Sequence, residues 1–73
     1  MIICTLNMEM ARHRMNIQQL ADKSGLSRST ISMLYHDKAK RIDFDTLEKL
    51  CEALDTSPGR LLTRMSFPEE ENE

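Results

Sequence analysis

A chain of 73 residues makes one domain, near the lower size at which a single apolar core suffices without staples. Two glycines, two prolines and no tryptophan favour a helical bundle of aliphatic and methionine side chains over a sheet. Its apolar runs, such as Met1 to Cys4, are too short to span a bilayer and lack the basic leader of a signal peptide. The expectation is therefore a cytoplasmic protein with no membrane association.

Taken in chain order, Met1 to Cys4 is either a loose start or a short edge strand at Ile2 and Ile3 that pairs with a second subunit. Leu6, Met10 and His13, followed by Ile17, predict a first helix over 5–14, with Thr5 or Asn7 available as its cap. Met8 and Met15 are flexible gap-fillers for its packing. Asn16 can accept from the free amides of a first turn, and Ile17, Leu20 and Ala21 then share one helical face. That second helix ends at Gly25, where glycine adopts the left-handed conformation without steric cost. Leu26 anchors the turn and Ser27 caps a third helix. Ile31 and Leu34 form its buried edge, which leaves Arg28, Ser29, Ser32 and Met33 facing outward.

Beyond His36 the run DKAKRI has no helical period and carries Lys38, Lys40 and Arg41, so it reads as a loop. Asp43 caps a fourth helix on which Phe44, Leu47, Leu50, Cys51 and Leu54 recur every three or four residues, while Asp45, Glu48, Lys49 and Glu52 face water. Ser57-Pro58 predicts a helix restart, and Leu61 and Leu62 close the bundle. From Ser66 onward SFPEEENE reads as an acidic, disordered tail with Phe67 as its one apolar handle.

A net charge of −2 conceals a strong division. Residues 11–41 hold seven basic side chains against Asp22 and Asp37, a surplus of five positive charges. From Ile42 onward nine acidic residues outweigh Lys49, Arg60 and Arg64, a surplus of six negative charges. One part of the chain is thus polarised towards phosphate and the other away from it. Cys4 and Cys51 are too far apart for a CxxC metal or redox site, and Cys51 falls on the apolar stripe of its helix. His13 and His36 stand at no ligand spacing with either cysteine, so no metal and no cofactor are expected. Without a nucleophile set, a close carboxylate pair or a phosphate-cradling glycine loop, an enzyme is not expected either.

The segment Ile17–His36, IQQLADKSGLSRSTISMLYH, resembles the helix-turn-helix of the Cro/CI-type (lambda-repressor-like, Xre) family. Ala21 is the small residue at the helix crossing, Gly25 lies in the turn, and Leu20, Leu26, Ile31 and Leu34 are core positions. Ile42 to Leu62 is similar to the fourth and fifth helices of small single-domain members, so the resemblance covers most of the chain. It departs at Ser24, where an apolar residue is more usual, and at Ile17, where phage repressors often carry a glutamine whose role would pass to Gln18 or Gln19. The resemblance implies an all-α, compact five-helix bundle over 1–65, with helices 2 and 3 as the helix-turn-helix and 66–73 as the tail.

It also implies a sequence-specific transcriptional regulator of double-stranded DNA, expected as a repressor, whose third helix, about 28–36, enters the major groove. Arg28 then suits guanine O6 and N7, Ser29 and Ser32 a base or a phosphate, and Met33 a thymine methyl. Gln18, Gln19, Ser27, Thr30, Lys38, Lys40 and Arg41 are the candidate phosphate contacts. A single recognition helix spans few base pairs, so a homodimer on a palindromic operator is expected. The family also includes antitoxins. An alternative is accordingly a protein-interaction module whose acidic fourth helix or tail binds a basic partner such as a toxin.

Overall fold

The computed structural model describes residues 1–66. The expected acidic tail, apart from Ser66, and the expected Phe67 handle lie outside the described residues. The chain runs β1 (Ile2–Cys4), α1 (Leu6–Arg12), α2 (Ile17–Ser24), α3 (Arg28–Tyr35), α4 (Phe44–Leu54), a 3-10 turn at Pro58–Arg60, and β2 (Leu62–Arg64).

Local chemistry sets the ends of the three central helices. At the start of α2 the Gln19 amide donates to Asn16 Oδ1 at 2.8 Å, and the Asn16 amide donates to Gln19 Oε1 at 2.9 Å. This reciprocal capping box satisfies two donors that have no partner within the helix. Gly25, at φ 81°, ends α2 and donates its amide to the Ala21 carbonyl at 2.9 Å. The Ser27 hydroxyl caps α3 by accepting from the Thr30 amide at 3.1 Å, and Asp43 caps α4 by accepting from the Thr46 amide at 2.8 Å. Helices α3 and α4 stop at left-handed aspartates, Asp37 at φ 56° and Asp55 at φ 50°. Lys38 and Thr56 then donate back to the carbonyls of Met33 and Cys51, at 2.8 and 3.0 Å.

The core draws on every helix: Leu6 and Met10 of α1, Leu20 and Ala21 of α2, Ile31 and Leu34 of α3, Leu50, Ala53 and Leu54 of α4, joined by Leu61. Each fully buried leucine or isoleucine contributes about 2 kcal/mol relative to leaving it in water. α2 packs on both α3 and α4, so the turn between α2 and α3 is held against the body of the domain.

The five-helix expectation is overturned, because the described residues contain four α-helices. The expected fifth shrinks to the single 3-10 turn Pro58–Arg60, and the chain then extends as β2. β2 pairs antiparallel with β1 in the register Ile2↔Arg64, Ile3↔Thr63 and Cys4↔Leu62. Of the two readings of Met1 to Cys4, a loose start or a short edge strand, the strand is the one formed, and its partner on this edge is β2 of its own chain. Paired extended backbone satisfies donors and acceptors that one more turn of helix would otherwise have to bond. The ladder continues to Met1 and Met65, which exchange hydrogen bonds of 2.7 and 2.8 Å through the terminal amine and backbone.

Helix α1 is shorter than its spacing predicts, and Thr5 is not a side-chain cap. Its hydroxyl donates to the Arg60 carbonyl at 2.8 Å and its amide to the Leu61 carbonyl at 2.8 Å, tying the two chain ends together. Glu9 is the one buried charged residue in the described chain, 5% exposed. Its carboxylate accepts from Arg12 Nη1 at 3.2 Å and lies 3.8 Å from Arg60 Nη1, with His13 Nε2 4.0 Å away on the other oxygen. Such pairing is what makes a buried carboxylate tolerable.

Candidate nucleic-acid interface

Helix α3 presents its N-terminal turn to solvent from a rigid seat. Ile31 and Leu34 are buried in the core beside α2, which leaves Arg28 and Ser29 exposed, Ser32 half-buried, and Met33 46% exposed. The four candidate base readers therefore share the outward side of one short helix. A guanidinium on the first helical residue suits the approach of a helix N-terminus to base edges.

The candidate phosphate residues separate into two sets. Lys38, Lys40 and Arg41 are exposed on the loop after α3, and no described carboxylate lies within 4.0 Å of them or of Arg28. Arg41 lines one concavity with Thr30 and Met33, so the loop charge and the flank of α3 face a common space. Gln18 and Arg28 line another, between the start of α2 and α3. The second set already has partners inside the chain. Gln18 donates to Asp22 at 2.9 Å, Gln19 serves the capping box, and the Ser27 hydroxyl both caps α3 and donates to the Thr30 hydroxyl at 2.9 Å. Gln19, Ser27 and Thr30 hold the helix starts in place and Gln18 is tied along α2 to Asp22, and a phosphate would have to share or displace those bonds.

Both departures from the family pattern have local explanations. Ser24 accepts the Leu26 amide at 3.2 Å and so stiffens the turn. Ile17 packs against the core, leaving Gln18 as the first exposed polar side chain of α2. Sequence reasoning assigned no role to Tyr35 and His36, which line the concavity beside Gln18 and Arg28. Their rings stand edge to face with centroids 5.0 Å apart. The seven-residue spacing from Arg28 to Tyr35, two helical turns on one face, is the signal that points to them.

Arg12 is occupied by Glu9, so it leaves the free basic set. Asp43, capping α4, is held below the ordinary carboxylate range by the Thr46 hydroxyl and then by the Thr46 amide. It remains an anion at a helix start where a phosphate would otherwise be favoured. Cys4 and Cys51 are free thiols. Burial pushes both upward, helped by the charges of Asp37 and Glu48 respectively, so neither is primed as a nucleophile. Among the described residues no three His, Cys, Asp or Glu side chains gather as a metal site, and no helix is long and apolar enough to cross a membrane.

Two short helices locked by a left-handed glycine, the second offering a polar, positively charged start to solvent, define a helix-turn-helix DNA-binding module. The sequence comparisons agree with that class. The chain belongs to the Cro/C1-type HTH DNA-binding domain family, whose pattern matches residues 5–66. It is 34% identical over 61 residues to the HTH-type transcriptional regulator YozG of Bacillus subtilis strain 168, itself uncharacterised, covering 84% of this chain and 73% of that protein. A crystal structure of a Bacteroides fragilis protein assigned to DNA binding superposes with a TM-score of 0.74 at 27% identity, over 86% of this chain and all of that one. The SinR/SinI protein complex shares the fold, with a TM-score of 0.69 at 23% identity over 73% of this chain and 52% of that chain. The function is DNA-binding regulation, and the family is not one of enzymes.

Proposed function

We propose that the chain is a sequence-specific repressor that binds a palindromic operator as a homodimer in the cytoplasm, with α3 in the major groove. The folded unit is residues 1–65. The observation that carries this reading is an exposed Arg28 at the start of α3, with no described carboxylate within 4.0 Å, on the same helix whose flank at Thr30 and Met33 shares a separate concavity with Arg41. Arg28 donates to guanine O6 and N7, Ser29 and Ser32 bond to bases or adjacent phosphates, and Met33 packs on a thymine methyl. Lys38, Lys40 and Arg41 bind phosphates, with Gln18, Gln19, Ser27 and Thr30 at the helix starts supporting that register.

Dimer formation is favoured by the sheet. Leu61 is buried and Leu62 half-buried, so the region of the expected fifth helix offers no apolar helical face of its own. Instead Met1, 68% exposed, and Met65 stand opposite each other at the end of the β1–β2 ladder as one small apolar patch, with Ile2, 63% exposed, on the other face of the strand. Such a patch suits a second copy of itself across a two-fold axis, with half-sites about 34 Å apart or a multiple of that.

The test is a titration of duplex DNA at salt concentrations from about 50 to 200 mM, comparing wild type with Arg41→Ala. Affinity is expected to fall with salt for both proteins, and the variant's log–log slope to be flatter by about one unit. An unchanged slope would remove Arg41 from the phosphate contacts. Binding by wild type that ignores salt would sink the phosphate reading as a whole.

A further inference from the structure

Helix α4 is apolar over a wider arc than the core buries, since Leu47 and Cys51 pack against the core at its edge and stay half-exposed while Phe44 is left in solvent. Leu50, Ala53 and Leu54 face the core, while Phe44, Leu47 and Cys51, spaced at i, i+3 and i+7, line an open groove completed by Pro58. Phe44 is 88% exposed, the most exposed large apolar side chain among the described residues. A phenylalanine left in water beside two partly covered apolar neighbours marks a surface that another molecule covers. Glu48, Glu52 and Asp55 rim the groove, no lysine or arginine lines it, and no described cation lies within 4.0 Å of those three carboxylates.

We propose that this groove docks an amphipathic helix of another protein, whose apolar residues at i, i+3 or i+4, and i+7 sit on Phe44, Leu47 and Cys51 and whose lysines or arginines meet Glu48, Glu52 and Asp55. The eleven residues of α4 extend for about 16 Å, the length of three turns of such a partner. Charge decides among the occupants. DNA is repelled by three unpaired carboxylates. A second copy packed groove to groove would bring two acidic rims together, like charge on like, which loses the complementarity an isologous contact requires. A basic helix neutralises the rim and covers the phenylalanine. The proposal does not depend on how α3 reads DNA, since groove and recognition helix present opposite charge.

The experiment titrates the isotope-labelled full chain, followed by NMR, with a synthetic helix of leucines at i, i+4 and i+7 and lysines elsewhere. A control peptide replaces every lysine with glutamate. The lysine peptide is expected to shift amide signals between Phe44 and Pro58, to bind about tenfold more weakly to Phe44→Ala and to Glu52→Lys, and the glutamate peptide not to bind. Both substituted side chains are exposed, so folding is retained and is checked from the same spectra. Shifts centred outside the groove, or equal affinity for wild type and Phe44→Ala, would overturn the proposal. Self-association of wild type that disappears in Phe44→Ala would overturn it in favour of a second copy. DNA affinity lost in Phe44→Ala would overturn it in favour of a nucleic-acid contact.

Discussion

Replacing Gly25 with alanine isolates the torsional cost of the turn between α2 and α3. Gly25 has a φ of 81°, and a methyl group built there meets no heavy atom within 4 Å, so Gly25→Ala adds strain without a clash. Left-handed backbone costs an L-residue about 1–2 kcal/mol. The stiffer unfolded chain of alanine offsets about 0.4–1 kcal/mol of that. The net destabilisation is about 1 kcal/mol, which lowers Tm by about 4–8 °C in a domain of this size. Thermal unfolding followed by far-UV circular dichroism measures the shift, and DNA affinity is then compared well below the transition. Affinity is expected to be unchanged, because the added methyl alters neither helix. An unchanged Tm would mean that the turn does not require a positive φ. A loss several times larger would mean that packed atoms, not torsion, make glycine necessary, and weakened DNA binding by the folded variant would place the methyl inside the interface.

The reverse substitution at the end of α4 is expected to stabilise. Asp55 holds φ 50° with no side-chain hydrogen bond or ion pair to lose among the described residues, so Asp55→Gly is expected to gain about 0.5–1 kcal/mol, read as a higher urea midpoint at constant m-value. A lower midpoint would contradict the strain assigned to that residue. At Asp43 the folded carboxyl is depressed below its ordinary 3.8, so its contribution is present above pH 3.8 and is lost as pH falls through the lowered value. Asp43→Asn keeps a capping oxygen but cannot titrate, and is expected to flatten the acid loss of stability in urea midpoints taken above and below pH 3.8. Parallel pH profiles for wild type and variant would show that the cap does not titrate.

Three of the four α-helices were legible because the signals that define them are local. Asn16 with Gln19, Ser27 with Thr30, and Asp43 with Thr46 each close a cap within three residues, and the apolar periods of α2, α3 and α4 name most of the core. The C-terminal segment was misread for the opposite reason. Ser57-Pro58 does start a helical turn, but whether Leu62–Arg64 continues as helix or strand is decided by Ile2–Cys4, some sixty positions earlier in the chain. Three residues carry too little alternation to announce a strand without a visible partner. For a similar reason the sequence offers Thr5 as a cap and gives Glu9 no role: the Thr5 hydroxyl and amide bond to Arg60 and Leu61, and Arg60 joins Arg12 and His13 around Glu9, with residues 60 and 61 coming from that same distant segment. At the interface the sequence marks which side chains face outward. The Ser27 cap is legible there, but not the bonds of Gln18 to Asp22, of the Asn16 amide to Gln19 and of the Ser27 hydroxyl to Thr30, because competing side-chain hydrogen bonds are a property of the folded arrangement.

Selection of bound sites from a random duplex library at near-physiological salt, with wild type and Arg28→Ala side by side, tests most directly whether α3 reads bases. The account predicts that wild type enriches a palindrome. Arg28→Ala is expected to blur one symmetric position and to cost about 1–3 kcal/mol on the preferred site. An Arg28→Ala variant that lost affinity equally for every sequence, or a folded wild type that enriched no site, would contradict it.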